Sequence, residues 1–350
     1  MEIYVLNNKC ETLGVIDYCK SIIWTHRYYD CGDFELYLPV TSKELELFKI
    51  ENYVTYQTSK FNVGIITSVL LETDEEEGDH LTIKGYSIDF VLGRRIVWNQ
   101  TMLSGTVTAC VMQLLTLNAF EPDMPERKLE GFTSGNSCDC DIRMQKQLSG
   151  DNLLTAIQEI LHTYKFGYRM VYRNGKFRFD IYSGVDRSYQ QSKNPSVVFS
   201  PEYDNLITSS YSADVTEYKN IALVAGEGEG AARRKYAIGN VSGLDRREMF
   251  VDARDISSDT DSGKISDDQY NALLIEKGTD ELASAVKKEL FDGTIEPEIN
   301  YVFGQDYNLG DIVQVINKYG IGAPARITEV IECWDENGYS CIPTFASEEV

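Results

Sequence analysis

The chain has 350 residues, 43% of them hydrophobic and 11% aromatic, which is longer than one continuous core supports and too apolar for a disordered chain. Its 55 Asp and Glu against 33 Lys and Arg give a net charge of −22. A surface this acidic repels nucleic-acid phosphates and anionic headgroups, which argues against DNA binding and membrane adhesion. No apolar run reaches the ~20 residues of a membrane helix. Met1-Glu2-Ile3-Tyr4 opens no basic, apolar leader, so the expected place of synthesis is a cytoplasm, with host lysis as a route out that needs no signal peptide. The eight cysteines (Cys10, Cys19, Cys31, Cys110, Cys138, Cys140, Cys333 and Cys341) are accordingly expected as reduced thiols.

Residues 2–6 read as a strand, Asn7-Asn8 as a turn, and further strands begin near Thr12 and cover 21–24. Asp33-Phe34-Glu35-Leu36-Tyr37-Leu38-Pro39 alternates polar and apolar, the mark of a half-buried strand. Thr41 followed by Glu44 has capping-box spacing and opens a short helix over 42–48. Strands at 53–57, 63–71 and 81–86 follow, the last two separated by an acidic loop over 72–79. Residues 1–92 are expected to form a curled antiparallel, barrel-like domain.

From 93 to 200 the pattern is α+β, with two helices and a hairpin. Val107, Cys110, Val111, Leu114 and Leu115 share one helical face, and Pro122 and Pro125 end that element. Residues 131–140 read as a polar loop. Leu153, Leu154, Ile157, Ile160 and Leu161 mark a second amphipathic helix that stops before Gly167. Two alternating runs, 168–173 and 176–182, flank Asn174-Gly175 and spell a hairpin.

After residue 200 strands return, and 201–350 is expected as a second barrel-like domain. Residues 205–214 and 220–225 are expected to pair with each other, 226–238 to form an extended hairpin, and 246–253 to add a strand. A polar linker spans 257–263. Ser266 with Gln269 is a second capping box, opening a long inserted helix over 266–291 with a weak point at Gly278. A strand at 298–304 leads to Tyr307-Asn308-Leu309-Gly310-Asp311-Ile312-Val313, a turn feeding a strand. There Gly310 supplies backbone freedom, and Asp311 can accept hydrogen bonds from the amides that follow. Strands at 326–334 and 339–345 are joined at Asn337-Gly338, a strong hairpin signal. The expected class is α+β, mainly β. The structural turn candidates are Gly310, Asp311, Asn337, Gly338, Asn174 and Gly175.

Chemical motifs are weak. Residues 221–225, followed by Gly226-Glu227-Gly228-Glu229-Gly230-Ala231, match the Gly-x-Gly-x-x-Ala form of a dinucleotide fingerprint. No helical stripe follows, and two carboxylates would face the pyrophosphate, so a hairpin tip is the better reading. Cys138-Asp139-Cys140 lacks further zinc ligands, and His26, His80 and His162 are far apart. Asp259, Asp261, Asp267 and Asp268 lack EF-hand spacing, and Asp74-Glu75-Glu76-Glu77 reads as a solvated turn. No Gly-x-Ser-x-Gly, His-Glu-x-x-His or P-loop occurs. No catalytic residue, metal or cofactor is expected.

Six stretches lie in order along almost the whole chain: Cys31-Gly32-Asp33-Phe34-Glu35-Leu36-Tyr37-Leu38-Pro39, Asn220-Ile221-Ala222-Leu223-Val224, Arg246-Arg247-Glu248, Tyr307-Asn308-Leu309-Gly310-Asp311-Ile312-Val313, Arg326-Ile327-Thr328-Glu329-Val330 and Pro343-Thr344-Phe345. Together they resemble the tail hub, or baseplate hub, proteins of tailed bacteriophages, specifically siphovirus tail proteins of phages and prophages of Gram-positive bacteria. The resemblance implies a structural virion protein, not an enzyme. It implies a homotrimer at the tail tip, in which two barrel-like domains per chain give a pseudo-six-fold ring matching a hexameric tube. The implied partners are a tail tube or distal tail protein and a tail spike or fibre. DNA would pass through the lumen without specific binding, which the acidity would favour, and no membrane insertion is implied. The implied location is the virion tail tip, after assembly in the host cytoplasm. Larger relatives add a peptidase or lysozyme module; with the chain stopping at Val350, that activity is not expected here. Two other readings stand beside this one. One is a peptidoglycan- or carbohydrate-cleaving tail-tip enzyme, whose sugar groove the surplus Asp, Glu and Tyr could line. The other is a carbohydrate-binding adaptor of a contractile injection system.

Overall fold

The structure is a computed structural model and describes residues 1–56, 62–73, 78–139, 141–260, 263–295 and 300–347. The chain opens with β1 (Ile3–Leu6), β2 (Thr12–Ile16), β3 (Ser21–Arg27) and β4 (Asp33–Pro39). Helix α1 (Ser42–Leu47) then leads to β5 (Tyr53–Tyr56), β6 (Val63–Glu72) and β7 (His80–Ser87). All pair antiparallel, in the order β3-β4-β7-β6-β5-β1-β2. The alternation in β4 does what it predicts: Phe34, Leu36 and Leu38 are buried against Ile3, Trp24 and Ile83 while their neighbours face outward. Thr41 caps α1 in a capping box with Glu44. Of the acidic loop expected at 72–79, Glu72 belongs to β6, and residues 74–77 lie outside the described residues.

The middle of the chain holds β8 (Thr101–Thr106), α2 (Val107–Leu115), β9 (Phe132–Ser137), β10 (Arg143–Leu148), α3 (Leu153–Thr163), β11 (Gly167–Arg173) and β12 (Lys176–Tyr182). The two helices bury the expected faces against one another, Val107, Val111 and Leu114 against Leu153, Ile157 and Ile160. The segment expected as a loop at 131–140 is instead mostly strand: β9 runs parallel to β12, with Phe132 opposite Phe177. Its Thr, Ser, Gly and Asn residues look like a loop. The edge of β12 supplies backbone partners, and the Phe132 ring, tilted against that of Phe177 at 5.0 Å between centroids, anchors them.

Beyond residue 197 come β13 (Val198–Phe199), β14 (Leu206–Asp214), β15 (Ile221–Ala225), β16 (Lys235–Ile238), β17 (Glu248–Asp252), β18 (Asp259–Thr260), β19 (Gly263–Lys264) and α4 (Asp267–Ser284). These are followed by β20 (Lys288–Ile295), β21 (Ile312–Ile316), β22 (Gly322–Asp335) and β23 (Gly338–Ser347). Three expectations need correction here. β14 does not pair with β15; it pairs with β20, while β15 lies between antiparallel β16 and parallel β17. The helix expected over 266–291 stops at Ser284, because residues 288–295 gain ladder hydrogen bonds from both β14 and β23, and this tertiary pairing outweighs local helix propensity. The strand expected at 298–304 is not seen in its described part: residues 300–302 join no ladder, and a turn at 304–306 is closed by a bridge between Phe303 and Tyr307; residues 298 and 299 lie outside the described residues.

The architecture is mainly β, as expected. Its spine is a 13-stranded sheet running β14-β20-β23-β22-β3-β4-β7-β6-β5-β1-β2, with β21 and β13 branching from β22. The long β22 pairs with β3 from Glu329 opposite Arg27 to Trp334 opposite Ile22, so strands from both ends of the chain are hydrogen-bonded into one path. Residues 215–287, between the paired strands β14 and β20, build a separate small unit. Its core is Val224, Val251, Tyr270, Leu273 and Leu274.

Gly278 explains how α4 lies flat on that small sheet. A Cβ there would sit 2.4 Å from Ile238 and 2.5 Å from Val224. Gly278→Ala, which in an exposed helix would stabilise by about 1 kcal/mol, is therefore expected to destabilise by about 1–3 kcal/mol through overpacking. Thermal unfolding of the variant checks this, and a raised melting temperature would contradict it.

Candidate functional site

The segments from the start, middle and end of the chain meet at one side chain. Tyr28 continues β3; its N–H donates to the Thr328 carbonyl (2.9 Å), and its ring is fully buried. The ring is wrapped by backbone that can carry no side chain. A Cβ on Gly167 would lie 2.1 Å from it, and one on Gly310 2.2 Å. Gly310 also has φ +90, and a Cβ on Gly184 would lie 1.7 Å from the Gly310 carbonyl. The Tyr28 hydroxyl reaches the carbonyls of Lys165 (3.2 Å) and Tyr182 (3.3 Å) and accepts from Gly184 N–H (3.3 Å). Burial raises the Tyr28 pKa, partly opposed by the Arg326 charge. The Arg326 guanidinium lies 5.5 Å from the ring and donates to the Gly310 carbonyl (2.8 Å).

Asp311, next to Gly310, is buried and ties the same segments together. One carboxylate oxygen accepts from Val185 N–H (2.7 Å). The other accepts from Asn308 N–H (3.0 Å) and Arg187 Nε (2.9 Å). The partners are thus a preceding amide and a segment 124 to 126 residues away, not the amides that follow, as the sequence suggests. A buried carboxylate with this set of donors is fixed in place and fully engaged.

A second polar cluster spans β3, β5, β22 and β23. Glu332 Oε2 lies 2.8 Å from His26 Nε2 and accepts from Tyr56 OH (2.6 Å), while its Oε1 accepts from Tyr339 OH (3.0 Å). Burial pushes the Glu332 pKa up, but the His26 and tyrosine contacts outweigh it and hold it below 4.5.

Between these clusters opens a cleft of about 300 Å³ whose lining includes His26, Arg27, Asp89, Arg169, Phe303 and Leu309. At its base Asp89 accepts from Cys31 Sγ (2.8 Å) and Tyr168 OH (3.1 Å). Burial raises the pKa of Asp89 and drives the Cys31 thiol far above its ordinary value. An activated cysteine needs the opposite shift. The acids here serve as hydrogen-bond anchors.

The matching family model, described as Siphovirus ReqiPepy6 Gp37-like protein, covers residues 2–345. The chain belongs to this family. No curated protein matches it in sequence. Its fold is similar to that of the tail protein from Neisseria meningitidis MC58 (TM-score 0.61, 12% identity, 99% of this chain and 96% of that one). It is also similar to the prophage MuSo2 43 kDa tail protein from Shewanella oneidensis (0.62, 11%, 99% and 98%). A third similar structure is the prophage tail protein gp18 from Listeria monocytogenes EGD-e (0.55, 13%, 99% and 95%). At such identities the likeness is one of fold, and it extends end to end.

Asn174 and Gly175 occupy the two left-handed positions (φ 54 and 73) between the paired residues Arg173 and Lys176. Gly338, φ +110, closes the last hairpin opposite Asp335, so the turn itself is Glu336-Asn337, one residue earlier than its motif suggests. The Asn337 amide donates to Asp335 (2.7 Å). The glycine run at 226–231 enters a single 3-10 turn at Gly230–Ala232 and then β16, which pairs antiparallel with β15: a hairpin, and not the α-helix that a dinucleotide site needs. Cys140 lies outside the described residues, and the seven described cysteines are free thiols. Among the described residues no cluster of His, Cys, Asp or Glu could hold a metal, and no helix is long and apolar enough to cross a membrane. Tyr28 carries no local hint of its role in the sequence, where its neighbours are Tyr29 and Asp30, and the three glycines that enclose it lie far apart along the chain.

Two measurements probe the junction. Asp311→Ala is expected to cost about 3 kcal/mol, because it strands Arg187 beside three lost bonds, whereas Tyr28→Phe is expected to cost about 1 kcal/mol. Denaturant midpoints of the two variants check the order, and equal losses would contradict it. The second concerns acid stability. A folded-state pKa held below 4.5 means that Glu332 contributes stability at and above pH 4.5 and gives it up as pH falls through the lowered value. Glu332→Gln should therefore flatten the decline in melting temperature below pH 4.5; a decline as steep as in the parent chain would contradict this.

Proposed function

We propose that this chain is a structural tail protein that acts as a trimeric hub at the tail tip, linking the tail tube to the spike or receptor-binding apparatus around a channel for DNA. The observation that carries the reading is the end-to-end likeness in fold to phage and prophage tail proteins. The rest of the molecule agrees with it. Strands from both ends are joined in one sheet through β3 and β22, as suits a part that must carry load. Asp89, Asp311 and Glu332 are buried and bonded within the fold, and burial drives the pKa of the Cys31 thiol beside Asp89 far above its ordinary value, which favours a structural role over catalysis. The net charge of −22 suits a lumen that DNA traverses without adhering.

In this reading the partners are further copies of the chain, a tube or distal tail protein, and a spike or fibre. The place of action is the virion. Native mass spectrometry of the purified chain tests the oligomer: a mass of three copies is expected, and a monomer across micromolar concentrations would overturn the trimer.

A further inference from the structure

The small unit at 215–287 carries a surface that the fold leaves uncovered. Its three strands present one face to α4: Val224 and Ile238 lie against Gly278. The opposite face shows a row in register across the sheet, Ala237 beside Leu223 beside Phe250. Leu223 is 40% exposed, Phe250 57%, and Leu244 on the adjoining turn is completely exposed at 102%. Alternation along β15 would lead a single buried sheet to hide such residues, and a monomer rarely leaves a contiguous apolar patch rimmed by charge without a use for it.

The rim has a sign. Residues 230–254 hold six Lys and Arg against three Asp and Glu, a net +3 inside a chain of −22. Asp252 is shared by Arg233 and Arg254 and Glu248 is held by Arg246, so two of the carboxylates offset only part of the positive charge. Arg233 lies 5.6 Å from the Phe250 ring, which brings cation and apolar row into one surface. Lys235, Arg246 and Arg254 are exposed around it.

We propose that this face docks on an acidic surface of a second copy of the chain, with Leu223, Leu244 and Phe250 as the apolar centre and Lys235, Arg246 and Arg254 as the steering rim. Charge selects the occupant: apart from this island the chain is strongly acidic, so a neighbouring copy offers the complementary surface. A contact between two different patches is head-to-tail, the kind that generates a closed ring when the rotation fits. The proposal rests on the assembly reading above and adds to it the surface that makes the contact.

The test uses the full chain with the paired substitutions Leu244→Glu and Phe250→Glu, both at exposed positions, followed by Arg246→Glu with Arg254→Glu. Self-association is measured by sedimentation, with circular dichroism as the control for folding. The parent chain is expected to associate more weakly as salt rises, and each double variant to weaken association about tenfold or more. Zero-length carboxyl–amine cross-linking of a mixture of isotopically light and heavy copies is expected to join Lys235 of one copy to an acidic residue of another. Assembly of folded variants as tight as that of the parent, without such cross-links, overturns the docking face while leaving the hub reading in place. A parent chain that fails to associate at about 100 µM, well above the range of specific interfaces, overturns both.

Discussion

The structure depends on a tyrosine ring closed in by glycines. Tyr28 sits where β3 leaves the first set of strands, Gly167 where β11 begins, and Gly310 where the chain turns into β21. None of the three glycines around it (167, 184 and 310) has room for a Cβ, so ring and backbone approach more closely than any other residue type allows. Arg326 and Asp311 then fasten the surrounding segments with charge-assisted bonds to carbonyl and amide groups. Because the Asp311 bonds reach a segment 124 to 126 residues away and the Arg326 bond holds the turn beside the ring, loosening the ring would release several of them together, which is the cooperative behaviour expected of a buried network.

The same economy appears in the sheet. One long strand, β22, pairs with β23 and β21 at its C-terminal partners and with β3 from the opening strands. A chain of separate domains on linkers would hinge under load, and a shared sheet resists this through its ladder of hydrogen bonds. Onto this frame the 215–287 unit is added between neighbouring strands β14 and β20. It contacts the middle of the chain through Lys146 and Asp280, and through Thr163 to Asp280 at 3.1 Å. The frame thus carries an appendage whose outer face is free for other tasks.

Local signals in the sequence translate well. The alternation at 33–39 becomes β4, the spacing of Thr41 and Glu44 and of Ser266 and Gln269 becomes two capping boxes, and Asn174-Gly175 becomes a tight turn. Each is decided within a few residues. The misread elements are those decided by a distant partner. β9 has the composition of a loop and becomes a strand because β12 offers an edge. Residues 288–295 continue a helical stretch and become a strand because β14 and β23 lie on either side. Asp311 looks like a turn residue bonding its own successors, yet two of its three partners are near residue 186. Nothing in a single sequence marks Gly167, Gly184 and Gly310 as neighbours of one ring.

If the fold exists to carry load in a ring, the arrangement of copies in the assembled tail is the decisive observation. An electron cryomicroscopy reconstruction of the tail tip is expected to show three copies around a central channel, with the continuous sheet intact in each. A single copy on the axis, a copy number incompatible with three-fold symmetry, or density for the chain away from the channel would contradict the account.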